Sequence, residues 1–137
     1  MNNGAGEVNL FLDVGHNPSG LERLMRDLTL RYPNLDIHVM LAMSFGKSIR
    51  ETCEVLARYA NSVHCVSEDN GRLVSYNVLV NEMTNISPNK LSSSGSIHSV
   101  FPTLLPTLTP RDLLVICGSF YMMEDIKDLL SSHGVSL

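Results

Sequence analysis

No apolar run in this 137-residue chain approaches the roughly 18 residues needed to span a bilayer, and Met1 to Glu7 has neither the basic start nor the apolar stretch of a secretory signal. The expectation is a cytoplasmic chain, with the mitochondrion as the other location, and no membrane partner. Basic residues are few as well. Ten Lys and Arg stand against fourteen Asp and Glu, for a formal charge of −4, with no basic cluster and no interleaved aromatics, which excludes a nucleic-acid surface. Cysteine is limited to Cys53, Cys65 and Cys117, far apart and inside apolar segments, with no CxxC pair. Buried free thiols in a reducing compartment are expected, and no metal site. Two catalytic signatures are missing. No Gly-x-Ser-x-Gly elbow surrounds any serine, and Gly46-Lys47-Ser48 ends like a phosphate-binding loop but has Leu41 where the first glycine would stand.

What is present alternates in character. Val8, Leu10, Phe11 and Leu12 read as a buried strand, and Leu21, Leu24, Met25 and Leu28 follow at helical spacing until Tyr32-Pro33. Leu35 to Met43 gives a second strand; Ser48, with Glu51 three residues on, has the spacing of a capping box for the next helix. Ser62 to Val66 is a third strand, ending in the polar turn Ser67 to Gly71. Asp112 to Cys117 is a fourth, and its helix runs from about Tyr121 to a stop at His133-Gly134. This order predicts one α/β domain, Rossmann-like, with a mostly parallel sheet and helices on both faces.

Between Arg72 and Thr109 the signals conflict. Leu73 to Met83 carries both periods, and its valines favour a strand at Tyr76 to Val80. Ser92 to Ser96 reads as a low-complexity linker, and Pro102 and Pro106 spoil a helix over Ile97 to Leu108, leaving room for a short one opening near Pro102. Of the other histidines, His38, His64, His98 and His133 have no partners at a useful spacing.

Chemistry concentrates in loops that follow strands. Asp13 closes the first strand and His16 precedes the first helix, so a carboxylate and an imidazole meet a helix N-terminus where open α/β sheets take ligands. A carboxylate there accepts from ribose hydroxyls, and an imidazole donates to phosphate oxygens. The alternative is structural, with Asp13 bonded to loop amides and His16 capping the helix. Gly118-Ser119-Phe120-Tyr121 repeats the arrangement after the last strand: Ser119 either adds a donor for an anion or is a plain N-cap with Tyr121 packed beside it. Lys47 either reaches the same edge or is a solvated loop lysine.

Leu12-Asp13-Val14-Gly15-His16-Asn17-Pro18 resembles the Leu-Asp-Gly-Ala-His-Asn-Pro signature of folylpolyglutamate synthases and dihydrofolate synthases, in the carboxy-terminal domain they share with Mur ligases. Gly118-Ser119-Phe120-Tyr121 resembles their Gly-Ser-Leu-Tyr. Lys47 matches the middle of a family Asp-Lys-Asp whose two acids are here Gly46 and Ser48. The resemblance implies an ATP- and magnesium-dependent ligase that joins L-glutamate to a folate carboxylate through an acyl phosphate. It implies nucleotide contacts for Asp13 and His16, a catalytic position for His16, glutamate contacts for Ser119 and Tyr121, and Lys47 as a further candidate. The family's ATP-binding domain would precede residue 1, and the arginine the family keeps in the linker before this signature is absent. Residues 1–137 then form the glutamate ligase domain, residues 1–7 a linker remnant, and the upstream domain of the same polypeptide is the expected partner, without which neither ATP binding nor ligase activity is expected. The alternative is a non-catalytic nucleotide- or anion-binding module, or a protein-interaction domain.

Overall fold

The computed structural model describes residues 8–14 and 17–132. Five strands and five α-helices alternate: β1 (Asn9–Val14), α1 (Pro18–Arg31), β2 (Asp36–Ala42), α2 (Ile49–Tyr59), β3 (Ser62–Ser67), α3 (Tyr76–Ile86), β4 (Leu91–Ser96), α4 (Ile97–Leu104), β5 (Asp112–Gly118) and α5 (Met123–Ser132). All strand pairs are parallel, in the order β1-β5-β2-β3-β4. The expected α/β class is therefore observed, with one more strand than the apolar runs revealed.

Strand order dictates where the helices lie. The chain steps from β1 through β2 and β3 to β4 in one direction, then returns across the sheet to place β5 between β1 and β2. Right-handed crossovers put outward and returning connections on opposite faces. One core accordingly joins Leu21, Met25, Cys53, Leu56, Leu79 and Met83 of α1 to α3 to Val39, Cys65 and Val115 of the sheet. The second packs Ile97, Phe101, Ile126 and Leu130 of α4 and α5 on Met40, Val66, Leu114 and Ile116. Because β5 sends its chain to one face while β1 and β2 send theirs to the other, crevices open beside the carboxyl end of β5.

The ambiguous middle resolves against the local signals. Tyr76 to Val80 opens a helix, not a strand, because Tyr76, Leu79, Val80 and Met83 form one stripe against the core, while Val78 is left 44% exposed. Ser92 to Ser96 belongs to edge strand β4 instead of a linker, since β3 offers a ladder that the serine backbone can complete. Helix α4 starts at Ile97, ahead of Pro102, and contains it. One lost hydrogen bond and a ring clash cost about 3 kcal/mol. Burying Ile97, Val100, Phe101 and Leu104, at about 1.5–3 kcal/mol each, outweighs that.

Two capping expectations also change. Ser48 stands before α2 but makes no side-chain cap bond, so the capping box is not formed. Asn17 is the residue that caps α1, its side chain accepting from Gly20 N–H at 2.9 Å, with Pro18 in the first turn.

His38 and His64, unpartnered by spacing, find partners across strands, while His133 lies outside the described residues. His38 Nε2 lies 2.7 Å from Asp112 Oδ1, and Ser62 Oγ lies 2.7 Å from His38 Nδ1 and 3.2 Å from His64 Nε2. Ser93 donates both its hydroxyl, at 2.5 Å, and its N–H, at 3.4 Å, to His64 Nδ1. An amide can only donate, so His64 Nδ1 is unprotonated and its proton sits on Nε2. Burial, with His38 nearby, pushes His64 down to about 4. Asp112 is held below its ordinary value: burial acts to raise it, but hydrogen bonds from Thr109 and His38 prevail. All three cysteines are free and buried, and burial lifts Cys53 and Cys65 to about 12 and Cys117 upward as well. No helix among the described residues is long and apolar enough to cross a membrane.

Candidate functional site

The two loops singled out by sequence leave adjacent strands, since Asp13 pairs in register with Cys117 and Val14 with Gly118. On the other side of β5, Ala42 pairs with Gly118. Three strand ends thus converge on Gly118, which adopts φ +112°; a Cβ there would sit 1.9 Å from the Ala42 carbonyl oxygen. Only glycine lets β5 turn this close to β2.

A pocket occupies this convergence, walled by Asp13 and Asn17 from the β1 side, Lys47, Ser48 and Thr52 from the β2 side, and Gly118 between them. Asp13 is 8% exposed, so its carboxylate belongs to the pocket floor, whereas Lys47 is exposed at the rim. Ser48, whose side chain makes no cap bond, lines the same space. At the start of α1, Asn17 already engages the N–H groups of Gly20 and Leu21, and Pro18 has none. Among the described residues this leaves the Ser19 amide as the first-turn donor, fewer than the three or four a bare helix start presents. The anion-attracting group at this pocket is chiefly the Lys47 ammonium. His16 lies outside the described residues.

Ser119 and Tyr121 stand beside this pocket and do not line it. Ser119 is 3% exposed, with its hydroxyl 2.6 Å from Ser44 Oγ and accepting from Tyr121 N–H at 3.1 Å, which caps the single 3₁₀ turn Phe120–Met122 ahead of α5. That is the capping geometry left open by the sequence. Tyr121 is half-exposed; the Arg72 guanidinium lies 4.9 Å from its ring centroid, within cation–π range. Phe120 meets it edge-on at 6.4 Å.

Sequence reasoning missed Arg72. Its placement comes from the turn before it: Asn70 Oδ1 accepts from the N–H groups of Arg72 and Leu73, Gly71 has φ +72°, and Leu73 bridges to Ser44. The Asn-Gly pair announced the turn, but nothing local announced the tyrosine on the far side of the sheet edge. The arrangement offers a buried carboxylate and hydroxyls for a polyhydroxylated group, one ammonium for an anion, and a guanidinium beside an aromatic ring for a second anion. No group of three metal-ligating side chains occurs among the described residues.

Comparison with known proteins returns no curated relative. Among solved structures, E. coli FolC in complex with DHPP and ADP is similar with a TM-score of 0.77 at 18% identity, over 91% of this chain and 29% of that one. A bifunctional folylpolyglutamate synthase/dihydrofolate synthase from Yersinia pestis, complexed with AMPPNP and Mn ion, gives 0.75 at 20% identity, over 89% and 28%. Mycobacterium tuberculosis folylpolyglutamate synthase, complexed with ADP and AMPPCP, gives 0.74 at 18%, over 88% and 29%. The chain therefore spans under a third of the length of these structures, and at such identities the likeness establishes the fold. The family described as "Mur ligase, glutamate ligase domain" matches residues 1–120, and the chain belongs to that family.

Proposed function

We propose that this chain is the glutamate ligase domain of an ATP-dependent acid–amino acid ligase of the folylpolyglutamate synthase/dihydrofolate synthase type. The observation that carries the reading is the meeting of Asp13 and Lys47 in one pocket at the β1/β5/β2 crevice. Asp13 suits a ribose hydroxyl, which it would accept from, and Lys47 suits a phosphate, to which it donates. His16 is assigned the neighbouring phosphate or acyl phosphate through the signature it shares with the family. The three solved structures named above hold ADP or ATP analogues, which is consistent with a nucleotide here.

The donor set fits a nucleotide better than a metal held by protein side chains alone, because the pocket has one carboxylate and no group of three metal-ligating side chains occurs among the described residues. The cation, and most of the nucleotide contacts, are assigned to an ATP-binding domain upstream in the same polypeptide. ATP with magnesium would supply the phosphoryl group that activates the folate carboxylate. This chain's own work is orientation and charge. Lys47 and the α1 start lower the cost of developing negative charge, and the wall carrying Tyr121 holds the incoming L-glutamate. Because the Ser119 hydroxyl is already bonded to Ser44 and Tyr121, its part is to fix that wall, while Arg72 offers the glutamate a carboxylate partner.

The test is turnover of ATP, folate and glutamate by the domain joined to an upstream ATP-binding domain. Asp13→Asn and Lys47→Ala are each expected to lower kcat/KM about 10- to 100-fold, the worth of a hydrogen bond to a charged group at about 1.5–3 kcal/mol. Unchanged turnover in both would reject the ligase reading and favour a non-catalytic module.

A further inference from the structure

Three segments that leave the carboxyl edge of the sheet meet at one imidazole. His98, in the first turn of α4, donates its backbone N–H to Glu68 Oε1 at 3.0 Å, and its ring Nδ1 lies 2.7 Å from the same oxygen. Its Nε2 lies 3.6 Å from Asp125 Oδ1, in the first turn of α5. A neutral imidazole has one N–H. The Glu68 carboxylate can only accept, so Nδ1 carries that proton, and Nε2 then turns a lone pair toward the Asp125 carboxylate. A second proton converts this repulsive contact into an ion pair.

The same two flanking segments are tied a second time. Glu68 begins the loop that ends at Arg72, and Asp125 follows the 3₁₀ turn that carries Tyr121, whose ring lies under the Arg72 guanidinium. We infer that His98 is a proton-operated clamp, which when protonated draws the start of α5 to the Glu68–Arg72 loop and stiffens the rim formed by Arg72 and Tyr121. The inference uses no ligand, so its failure leaves the ligase reading standing.

The charged groups acting on His98 are Glu68, from the loop after β3, and Asp125 and Asp128, from α5. All are acids. The hydrogen bond to Glu68 is the largest influence and, with the charges of Glu68, Asp125 and Asp128, holds His98 above its ordinary value against the opposing effect of burial, which ranks second. Asp125 is held above the usual carboxylate range by burial and by the neighbouring Glu68 and Asp128, against the pull of His98. Glu68 ends below it, because bonds from His98 overcome the opposing effect of burial. The sign follows: a group whose folded value is raised stabilises below its unfolded value, near pH 6.5, and that stabilisation is lost as pH rises through the folded value.

The experiment is an NMR titration of the 137-residue chain from pH 5 to 9, following the His98 ring and the amides of residues 119–123. In the wild type, the amides should titrate with the midpoint of the ring, and in His98→Asn that response should vanish. Asp125→Asn should lower the ring midpoint by about half a pH unit, the scale of an exposed ion pair. Should that variant not fold, raising the salt on the wild type should move the midpoint the same way. Amides that ignore the ring, or a midpoint indifferent to both Asp125→Asn and salt, would overturn the clamp.

Discussion

Replacing Gly118 with alanine adds one methyl group at the point where three strands converge. The new Cβ would lie 1.9 Å from the Ala42 carbonyl oxygen and 3.0 Å from its carbon, both backbone atoms, in a segment whose φ is +112°. Neither neighbour is the end of a flexible side chain, so β5 and β2 must part. Backbone strain of about 1–3 kcal/mol adds to overpacking of about 1–3 kcal/mol, for a loss of about 2–6 kcal/mol. Gly46 is the control, with φ +77° and nothing within 4 Å of an added Cβ; alanine there costs only the left-handed conformation, about 1–2 kcal/mol. Urea denaturation followed by far-UV circular dichroism reads both. With a slope of about 2 kcal/mol per molar, Gly118→Ala should lower the midpoint by about 1–3 M and Gly46→Ala by about a third to a half as much. Equal midpoints for the two variants would refute the claim that β5 needs glycine to approach β2, and with it the argument for how the pocket is shaped.

Acid should destabilise the fold through His64. Its folded value of about 4 lies below the unfolded 6.5, so stability is complete above pH 6.5 and falls progressively toward pH 4, by about 3 kcal/mol in all. Guanidinium melts at stepped pH check this, and a His64→Gln variant should flatten that part of the profile; an unaltered slope would contradict it. The three thiols should be nearly inert to a disulfide reagent in the native chain at pH 8, because they are buried and strongly protonated, and all three should react promptly in denaturant. Rapid labelling of the native chain would show that one of them is exposed.

Elements whose own residues decide their conformation were legible. Strands β2, β3 and β5 are apolar runs buried on both sides, β1 is an edge strand whose apolar run is partly buried with Phe11 36% exposed, and α1 and α2 carry stripes at helical spacing. Those that depend on a distant neighbour were not. Strand β4 consists of serines that pair only because β3 lies alongside, and His64 holds Ser93 there through contacts across 29 positions of sequence. Helix α3 overrides its valines because one face has a core to meet, and α4 tolerates Pro102 for the same reason. In the candidate site, Asp13 and Gly118 could be assigned to one edge from topology alone. The Ser119 hydroxyl bond to Ser44 and the stacking of Arg72 on Tyr121 could not, since both join loops that meet only after folding.

Asp13 and Lys47 are proposed to serve one bound nucleotide. The most direct test is the KM for ATP of the ligase assembled with its upstream domain, compared between wild type, each single variant and the Asp13→Asn/Lys47→Ala double variant. A shared ligand predicts that both single variants raise KM about tenfold or more, and that the double variant departs from additivity by about 0.5–3 kcal/mol, as for groups acting on one partner. Wild-type KM in both single variants, with glutamate addition unimpaired, would contradict it.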